Sequence, residues 1–359
     1  MAGIVDEKLG TITKSATLRD AIAAIESAKK TIAIVVDTHN QVIGVVSDGD
    51  IRRAILAGMT LDGSVADAMN IHPVTAREGT TDTVLVQLLQ QHNLEAVPIV
   101  DEIGHLCRIA HIDELVPGDA PGGGEGFYAA VIMAGGQGHR LRPLTDNVPK
   151  PMVDIGGVPL IERQIWRLAR AGVRRIFVSI NYLGGLIEEH LGDGSAYGTS
   201  ITYLREKSKL GTAGALALLP EAPTGPILVL NGDILTTSEF RNFLSFHDNH
   251  QAAITIGAIT HRVQIPYGVI RYDGVNATAL VEKPTQAFFC NAGIYVVSPE
   301  ILHYVPELTF YNMTDLIHRC MAEGNPVVVF PIHEYWSDIG TLHDLEKARA
   351  CIEVLDSAT

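Results

Sequence analysis

Basic residues are in short supply. The chain has 27 Lys and Arg against 41 Asp and Glu, a formal charge of −14. Binding a polyanion takes a basic stripe that releases counterions, so nucleic acid is excluded as a partner. Small anions are not excluded, because a few local Arg and Lys residues can hold phosphates. Cysteine is scarce as well. Cys107, Cys290, Cys320 and Cys351 are scattered with no C-x-x-C pair, which excludes a disulfide framework and a zinc ribbon and predicts reduced, mostly buried thiols. The 14 histidines show no H-x-x-x-H or H-E-x-x-H spacing, so a zinc site lacks support. No apolar run is long enough to span a bilayer, and MAGIVDEKLG has neither the basic n-region nor the apolar h-region of a secretory signal. The expectation is a cytoplasmic protein without a membrane partner.

With 359 residues, 47% of them apolar, the chain is long for one core and comfortable for two domains. Comparing it with itself at a constant offset of 64 residues finds a repeat. Thr17 matches Thr81, Ile22 matches Val86, Ile25 matches Leu89 and Asp37 matches Asp101. Each copy reads as an amphipathic helix, a β-branched strand, a turn (DTHNQ or DEIGH), a second strand and a further helix start. The copies resemble a tandem pair of CBS domains, a βαββα repeat, over residues 1–117, divided at about 1–62 and 63–117. The resemblance implies an adenine nucleotide effector in a cleft, contacted by Ser47 and Asp50 of GVVSDGDIRR, with Arg52 and Arg53 close by. Copy two departs from that pattern, with His111 and Glu114 at the matching places. A regulatory or dimerising role is expected of the pair, and with it a homo-oligomer.

After the repeat comes VPGDAPGGGEG, where Gly, Pro and acidic residues without apolar periodicity mark a flexible linker. The boundaries expected are a linker over 118–126 and a second domain over 127–359. That domain opens on YAAVIMAGGQGHRLRPLTDNVPKPMVDIGG. A short apolar strand runs into Gly135, Gly136 and Gly138, a density at which backbone N–H groups can converge on one anion. The third glycine of a dinucleotide fingerprint is missing, and no G-K-[ST] closes a P-loop. Pro143, Pro149 and Pro151 keep the next segment extended or turning, an arm that would lay Arg140, Arg142 and Lys150 along a triphosphate.

Downstream, PILVLNGDIL ends a buried strand in Asn231, Gly232 and Asp233. An acidic residue there sits at the carboxyl edge of a parallel sheet, where open α/β folds bind ligands. Asp338, in YWSDIGTLHDLEKA, precedes the last helix, for which Thr341 is the better N-cap. Either aspartate alone is explained by a turn or a helix start. Together they suit Mg²⁺, a hard ion that takes one or two protein oxygens plus substrate phosphates. Between them lie REKSKLGTAGALAL, IPYGVIRYDG, LVEKPTQ and NAGIYVVSPE.

The glycine segment resembles, almost residue for residue, the signature G-G-x-G-x-R-L-x-P-L-T followed by P-K-P of the sugar-phosphate nucleotidylyltransferases. Six motifs stand in that family's order between residue 128 and about residue 346. The resemblance implies an α/β fold, a Rossmann-like, mixed and mostly parallel sheet. It also implies Mg²⁺-dependent joining of a nucleoside triphosphate to a sugar 1-phosphate, with release of pyrophosphate. By the same resemblance Ala134, Gly135, Gly136 and Gly138 hold the triphosphate, Arg140 and Lys150 neutralise it, and Gly211 packs against the base. Asp233 and Asp338 hold the metal, while Gly268, Glu282, Lys283, Asn291 and Gly293 form the sugar-phosphate pocket. About twenty residues follow Asp338, so the left-handed β-helix of several relatives is not expected. A CBS pair ahead of this domain resembles bacterial enzymes that make GDP-glucosamine from GTP and glucosamine 1-phosphate for legionaminic-type sugars. GDP-mannose or another NDP-hexose stays open as the product, as does a nucleotide-sensing scaffold with an inactive transferase domain.

Overall fold

A computed structural model describes residues 3–6, 9–28, 30–92, 94–115, 126–136 and 138–351. Its contacts divide the chain into two units, residues 1–124 and 125–359. The linker expected over 118–126 lies outside the described residues, apart from Gly126.

In the first unit the repeat recurs element by element. Helix Leu18–Ala28 and strands Ile32–Val36 and Val42–Ser47 return 64 residues later as Asp82–His92, Ala96–Val100 and Leu106–His111. Both strand pairs are antiparallel, and each shifts register at the same place, between Val35 and Val36 and between Ile99 and Val100. The connecting turns are also made alike. Asp37 Oδ1 accepts from the N–H groups of His39 and Gln41, and Asp101 Oδ1 from those of Ile103 and His105. These backbone donors, Gln41 and His105 foremost, hold both carboxyls below the usual carboxylate range. One apolar cluster joins the copies through Ile34 and Val36 of the first and Ala96 and Ile109 of the second.

In the second unit, segments such as AAVIM, RIFVSI and ILVLN are apolar on both faces, the pattern of strands covered on both sides. They belong to a seven-stranded sheet in the order Ser200–Arg205, Arg175–Ile180, Ala129–Met133, Ile227–Asn231, Thr285–Val297, Ile254–Gln264, Val327–Ile332. All neighbours are parallel except at Thr285–Val297, which is antiparallel to both of its partners. Ala130 and Ile132 point to the face covered by Ile161, Ile165 and Leu168 of helix Leu160–Arg170. Ala129 and Val131 point to the other, covered by Met313, Leu316 and Cys320 of helix Met313–Ala322. Cys320 is the one buried cysteine; Cys107, Cys290 and Cys351 are half-buried and free, a correction to the expected mostly buried set. Cys107 and Cys290 sit on strand positions that only partly face a core, and Cys351 is the C-cap after helix Leu342–Ala350. No helix of the described residues is long and apolar enough to cross a membrane.

Past the sheet, strands Ile254–Gln264 and Thr285–Val297 continue as a two-stranded ribbon, paired from Thr260 with Phe289 to Gln264 with Thr285. Their outer neighbours have ended by then, at Ile332 and Asn231. A separate hairpin, Val269–Asp273 with Asn276–Val281, lies between the two long strands in sequence.

A buried histidine ties helix Phe240–Asn249 to the sheet. His247 is 2% exposed, with Nδ1 at 2.9 Å from Thr255 Oγ1 and Nε2 at 2.9 Å from Ser298 Oγ. Ser298 spends its single proton on the Ala252 carbonyl at 2.8 Å, so it accepts from His247 Nε2–H. Nδ1 is then bare and accepts from Thr255, and the ring is neutral. Burial pushes its pKa down to about 4. The folded state therefore refuses a proton that the unfolded chain takes near ~6.5. This contribution is complete above pH ~6.5 and is lost as pH falls toward about 4, to a total of about 3 kcal/mol. Both tryptophans, Trp166 and Trp336, lie in this unit, so urea unfolding followed by their fluorescence reads it directly. Unfolding free energy should decline across that window in the wild type, and His247→Gln should flatten the decline. An equal slope in both proteins would contradict the assignment.

Candidate active site

Parallel pairing of Ile227–Asn231 with Ala129–Met133 sets Asn231 beside Met133, so the glycine loop and the N-G-D turn leave the sheet at one carboxyl edge. Gly232 donates its N–H to the Met133 carbonyl at 2.9 Å. A Cβ at Gly232 would stand 2.8 Å from that oxygen and 3.2 Å from Pro151 Cγ. Only glycine lets this turn press against both the root of the loop and the P-K-P segment. Gly138 takes a left-handed φ of +63°, and Thr145 Oγ1 donates to its carbonyl at 2.8 Å, which folds the loop back on itself.

The arm after the loop is not extended. It makes two 3₁₀ turns, His139–Leu141 and Lys150–Met152, the second with proline backbone on either side of Lys150. Leu141, fully buried against Val153, Ile155 and Ile339, pins the arm down. Exposed Arg142 pairs with Asp146 at 3.2 Å, outside the site.

At the centre Lys150, 11% exposed, forms an ion pair with Asp233 and lies 3.5 Å from Asp338 Oδ1. Asp338 arrives on strand Trp336–Asp338, antiparallel to Ile234–Thr236, with Ile339 N–H bonded to the Asp233 carbonyl at 2.9 Å. Thr341 caps the helix that follows, through a capping box with Asp344, which leaves Asp338 free of capping duty. Burial raises the Asp338 carboxyl above its usual range and the Asp233 charge adds to this, against the pull of Lys150 and Arg140. Its Oδ1 is buried and faces Lys150 across 3.5 Å without a formed hydrogen bond. Two carboxylates facing one cation, one of them with a buried oxygen that no hydrogen bond satisfies, have the donor chemistry that a divalent ion takes. Arg140 reaches the same place. Its NH1 lies 3.7 Å from the point a Cβ on Gly340 would occupy, and both Asp338 oxygens lie 3.5 Å from that point.

The Gly-Thr-Ala-Gly segment forms one helical turn, Gly211–Gly214, followed by a 3₁₀ turn. Gly211 has φ +79°, and a Cβ there would meet the Tyr311 carbonyl at 2.6 Å. Thr212 caps another helix: its Oγ1 accepts from Met313 N–H at 2.9 Å. Next to this turn stands a residue that the motifs did not single out. Glu206, partly exposed, accepts from Ser179 Oγ at 2.6 Å and from Leu210 N–H at 3.0 Å. Its Oε1 lies 2.6 Å from where a Cβ on Gly135 would be. One carboxylate thus bridges the glycine loop and the Gly211 turn. Ala134, at the root of the loop, is buried and donates to the Ser179 carbonyl at 2.9 Å, while Gly136 has open space around it.

Gly293, with φ +70°, packs on Asn231: a Cβ would stand 2.6 Å from Asn231 Nδ2. Asn291 Oδ1 accepts from Gly293 N–H at 2.9 Å, so both residues adjoin the N-G-D turn. Gly268 and Glu282 form their own group on the hairpin, with Glu282 Oε2 at 3.0 Å from the Cβ position of Gly268. Exposed Lys283 follows in a left-handed conformation, φ +44°. Among the described residues these three share no hydrogen bond or ion pair with Lys150, Asp233 or Asp338.

In the first unit, Ser47 and Asp50 are engaged with each other. Asp50 Oδ2 accepts from Ser47 N–H at 2.9 Å and Ser47 Oγ at 2.6 Å, closing a capping box on helix Asp48–Leu56, and Asp50 Oδ1 pairs with Arg53. Arg52, 1% exposed, pairs with Asp48. In copy two Glu114 is taken by Lys30 of copy one, which holds its carboxyl below the usual range.

A second residue outside the motifs is Gln164 on helix Leu160–Arg170, 5% exposed. Its Nε2 donates to the carbonyls of Asn231 at 3.0 Å and Ile234 at 2.7 Å, the two flanks of the turn that holds Asp233. Both partners only accept, which fixes the amide orientation.

Comparison with known proteins covers both units. The nucleotidyl transferase family profile matches residues 129–354, and the CBS domain profile matches residues 2–57 and 65–117. A mannose-1-phosphate guanylyltransferase catalytic subunit beta from Danio rerio is 36% identical over 226 residues, 60% of this chain and 62% of that protein. A mannose-1-phosphate guanylyltransferase from Mycobacterium tuberculosis is 30% identical over 62% of this chain and 63% of its own length. The chain thus spans less than two thirds of these curated relatives. The crystal structure of HddC from Yersinia pseudotuberculosis superposes with a TM-score of 0.50 at 26% identity, covering 63% of this chain and 100% of that one.

Replacing Gln164 by Leu removes both donors and leaves two carbonyls at the site unpaired. A loss of about 1–3 kcal/mol is expected, read as a lower urea midpoint in tryptophan fluorescence. An unchanged midpoint would mean that the turn is held by other contacts.

Proposed function

The chain belongs to the nucleotidyl transferase family, and we propose that it joins a nucleoside triphosphate to a sugar 1-phosphate and releases pyrophosphate. The observation that carries this reading is the cluster of Lys150, Asp233, Asp338 and Arg140 beside the glycine loop. In the proposed reaction a phosphate oxygen of the sugar 1-phosphate attacks the α-phosphorus. The bond from that phosphorus to the bridging α–β oxygen breaks, and its electrons leave with pyrophosphate. The attacking group is already anionic, because a phosphate monoester has its second pKa near ~6, so no general base is needed. The barrier is repulsion between anions and charge growth on the leaving group. Arg140 and Lys150 oppose both with fixed positive charge, and Lys283, on the exposed hairpin, is assigned to the sugar phosphate. Asp233 and Asp338 would hold Mg²⁺, which when bound supplies further neutralisation of phosphate charge.

GTP is the proposed donor. Glu206 offers only acceptors between the glycine loop and the Gly211 turn. Guanine presents two adjacent donors on its pairing edge, which a carboxylate accepts together; uracil and thymine present one donor between two acceptors. The guanylyltransferase names of the curated relatives agree with this choice. Glucosamine 1-phosphate is the proposed acceptor, on the strength of a CBS pair preceding the catalytic unit. Mannose 1-phosphate is the second reading, favoured by the names of the relatives. Ser47 and Asp50 are assigned to an adenine nucleotide effector, which would have to exchange with the hydrogen bonds of their capping box.

Pyrophosphate release over a grid of four nucleoside triphosphates and several sugar 1-phosphates tests the reading. GTP with an amino-hexose or hexose 1-phosphate should give the signal, and silence in every pairing would instead indicate an inactive sensor. Asp233→Asn should keep the fold and lose activity by about 100-fold or more; wild-type rates would sink the assignment of that carboxylate. Glu206→Gln exchanges an acceptor for a donor, and a bidentate contact is worth ~1–3 kcal/mol of base discrimination. The preference for GTP over ATP in kcat/KM should drop by about 10-fold, and an unaltered ratio would place base selection elsewhere.

A further inference from the structure

Strand Arg175–Ile180 reads RIFVSI, and one hydroxyl interrupts its apolar run. Ser179 is fully buried, in a strand covered on both faces, where an apolar residue is the ordinary occupant. A buried hydroxyl costs stability unless it is hydrogen-bonded. Its proton goes to Glu206 Oε1 at 2.6 Å, 27 residues further on, since a carboxylate only accepts. Two neighbours complete the hold. Glu206 donates its N–H to the Ile180 carbonyl at 2.9 Å, and its own carbonyl accepts from Asn181 Nδ2 at 2.8 Å. Residues 179–181 therefore fix the side chain, the N–H and the C=O of one residue.

The other oxygen of that carboxylate, Oε2, accepts from Leu210 N–H at 3.0 Å. Donors from two separate elements, one on each oxygen, fix the plane of the group, and each oxygen keeps a lone pair for a ligand. Oε1, the oxygen that Ser179 holds, is also the one 2.6 Å from the Cβ position of Gly135. The backbone of Ser179 meets the same loop, its carbonyl accepting from Ala134 N–H at 2.9 Å. A single residue thus sets the carboxylate and the root of the glycine loop at one spacing. We propose that Ser179, supported by Asn181, is a positioning residue for base selection: it orients the Glu206 carboxylate toward the pairing edge of guanine. The inference rests on the assignment of Glu206 to the base.

Pyrophosphate release by the full-length chain is the test, with GTP and ATP varied in turn at saturating mannose 1-phosphate or glucosamine 1-phosphate. Ser179→Ala should lower the GTP-over-ATP ratio of kcat/KM by about 3- to 10-fold, the effect of losing one ordinary hydrogen bond. Asn181→Ala should lower it in the same direction. A residue that only supports the fold would depress both nucleotides alike; a ratio left standing in Ser179→Ala beside a fallen one in Glu206→Ala therefore overturns the proposal alone. In the Glu206→Ala background, where the carboxylate is gone, Ser179→Ala should change the ratio no further. A second drop there would mean that the hydroxyl acts by another route, and overturns it too. If the wild type is silent or does not prefer GTP, or if Glu206→Ala keeps the ratio, the base assignment fails and this inference falls with it. Should Ser179→Ala lose its fold in circular dichroism, Asn181→Ala, on a half-buried side chain, decides by the same ratio.

Discussion

One ammonium group held by two carboxylates joins three distant stretches of this chain. Lys150 comes from a proline-framed turn, Asp233 from the end of a central strand, and Asp338 from a short strand just before the last helix. Without the cation, two like charges would face each other in a half-buried place, and such a pair is costly once one partner is gone. Everything around the cluster serves to hold that arrangement. Gly232 permits the contact with the Met133 carbonyl, Gln164 clamps the flanks of the turn, and Ile339 bonds back to Asp233. The charge shortage noted at the outset is thus offset locally: in an acidic protein, Lys150 and Arg140 are gathered beside Asp233 and Asp338.

Much of this was legible in the order of residues, and the reason differs from place to place. Glycines with positive φ or a blocked Cβ have no substitute, so Gly138, Gly211, Gly232 and Gly293 stand out as punctuation between apolar strands. The offset repeat was legible because duplicated elements share a period. Gln164 and Glu206 were not. Their partners Asn231 and Ser179 lie 67 and 27 residues away, and neither residue sits in a pattern that a linear reading weights. Prolines along the arm predict only that it is extended or turning. Its 3₁₀ turns depend on Leu141 reaching a cluster that includes Ile339, a contact made in three dimensions. Thr212 shows the same limit, since it caps a helix that begins 101 residues further on.

Between its two faces the sheet divides labour. One set of side chains on Ala129–Met133 packs on helix Leu160–Arg170, which also supplies Gln164. The alternate set packs on helix Met313–Ala322, whose first turn is capped from the Gly211 segment. Each covering helix therefore reaches the carboxyl edge with a polar side chain or a capped end. Core packing and site geometry are coupled through the same elements, so a change in either helix would be felt at the edge.

The shared register shift makes the two CBS copies equivalent as frames. An irregularity at the same offset in both strand pairs, together with aspartate turns bonded alike, sets corresponding residues at corresponding places. The copies then differ in what they put there: Ser47 and Asp50 in one, His111 and Glu114 in the other. Because Glu114 pairs with Lys30 of its twin, the two halves are not interchangeable, and one copy is part of the other's support.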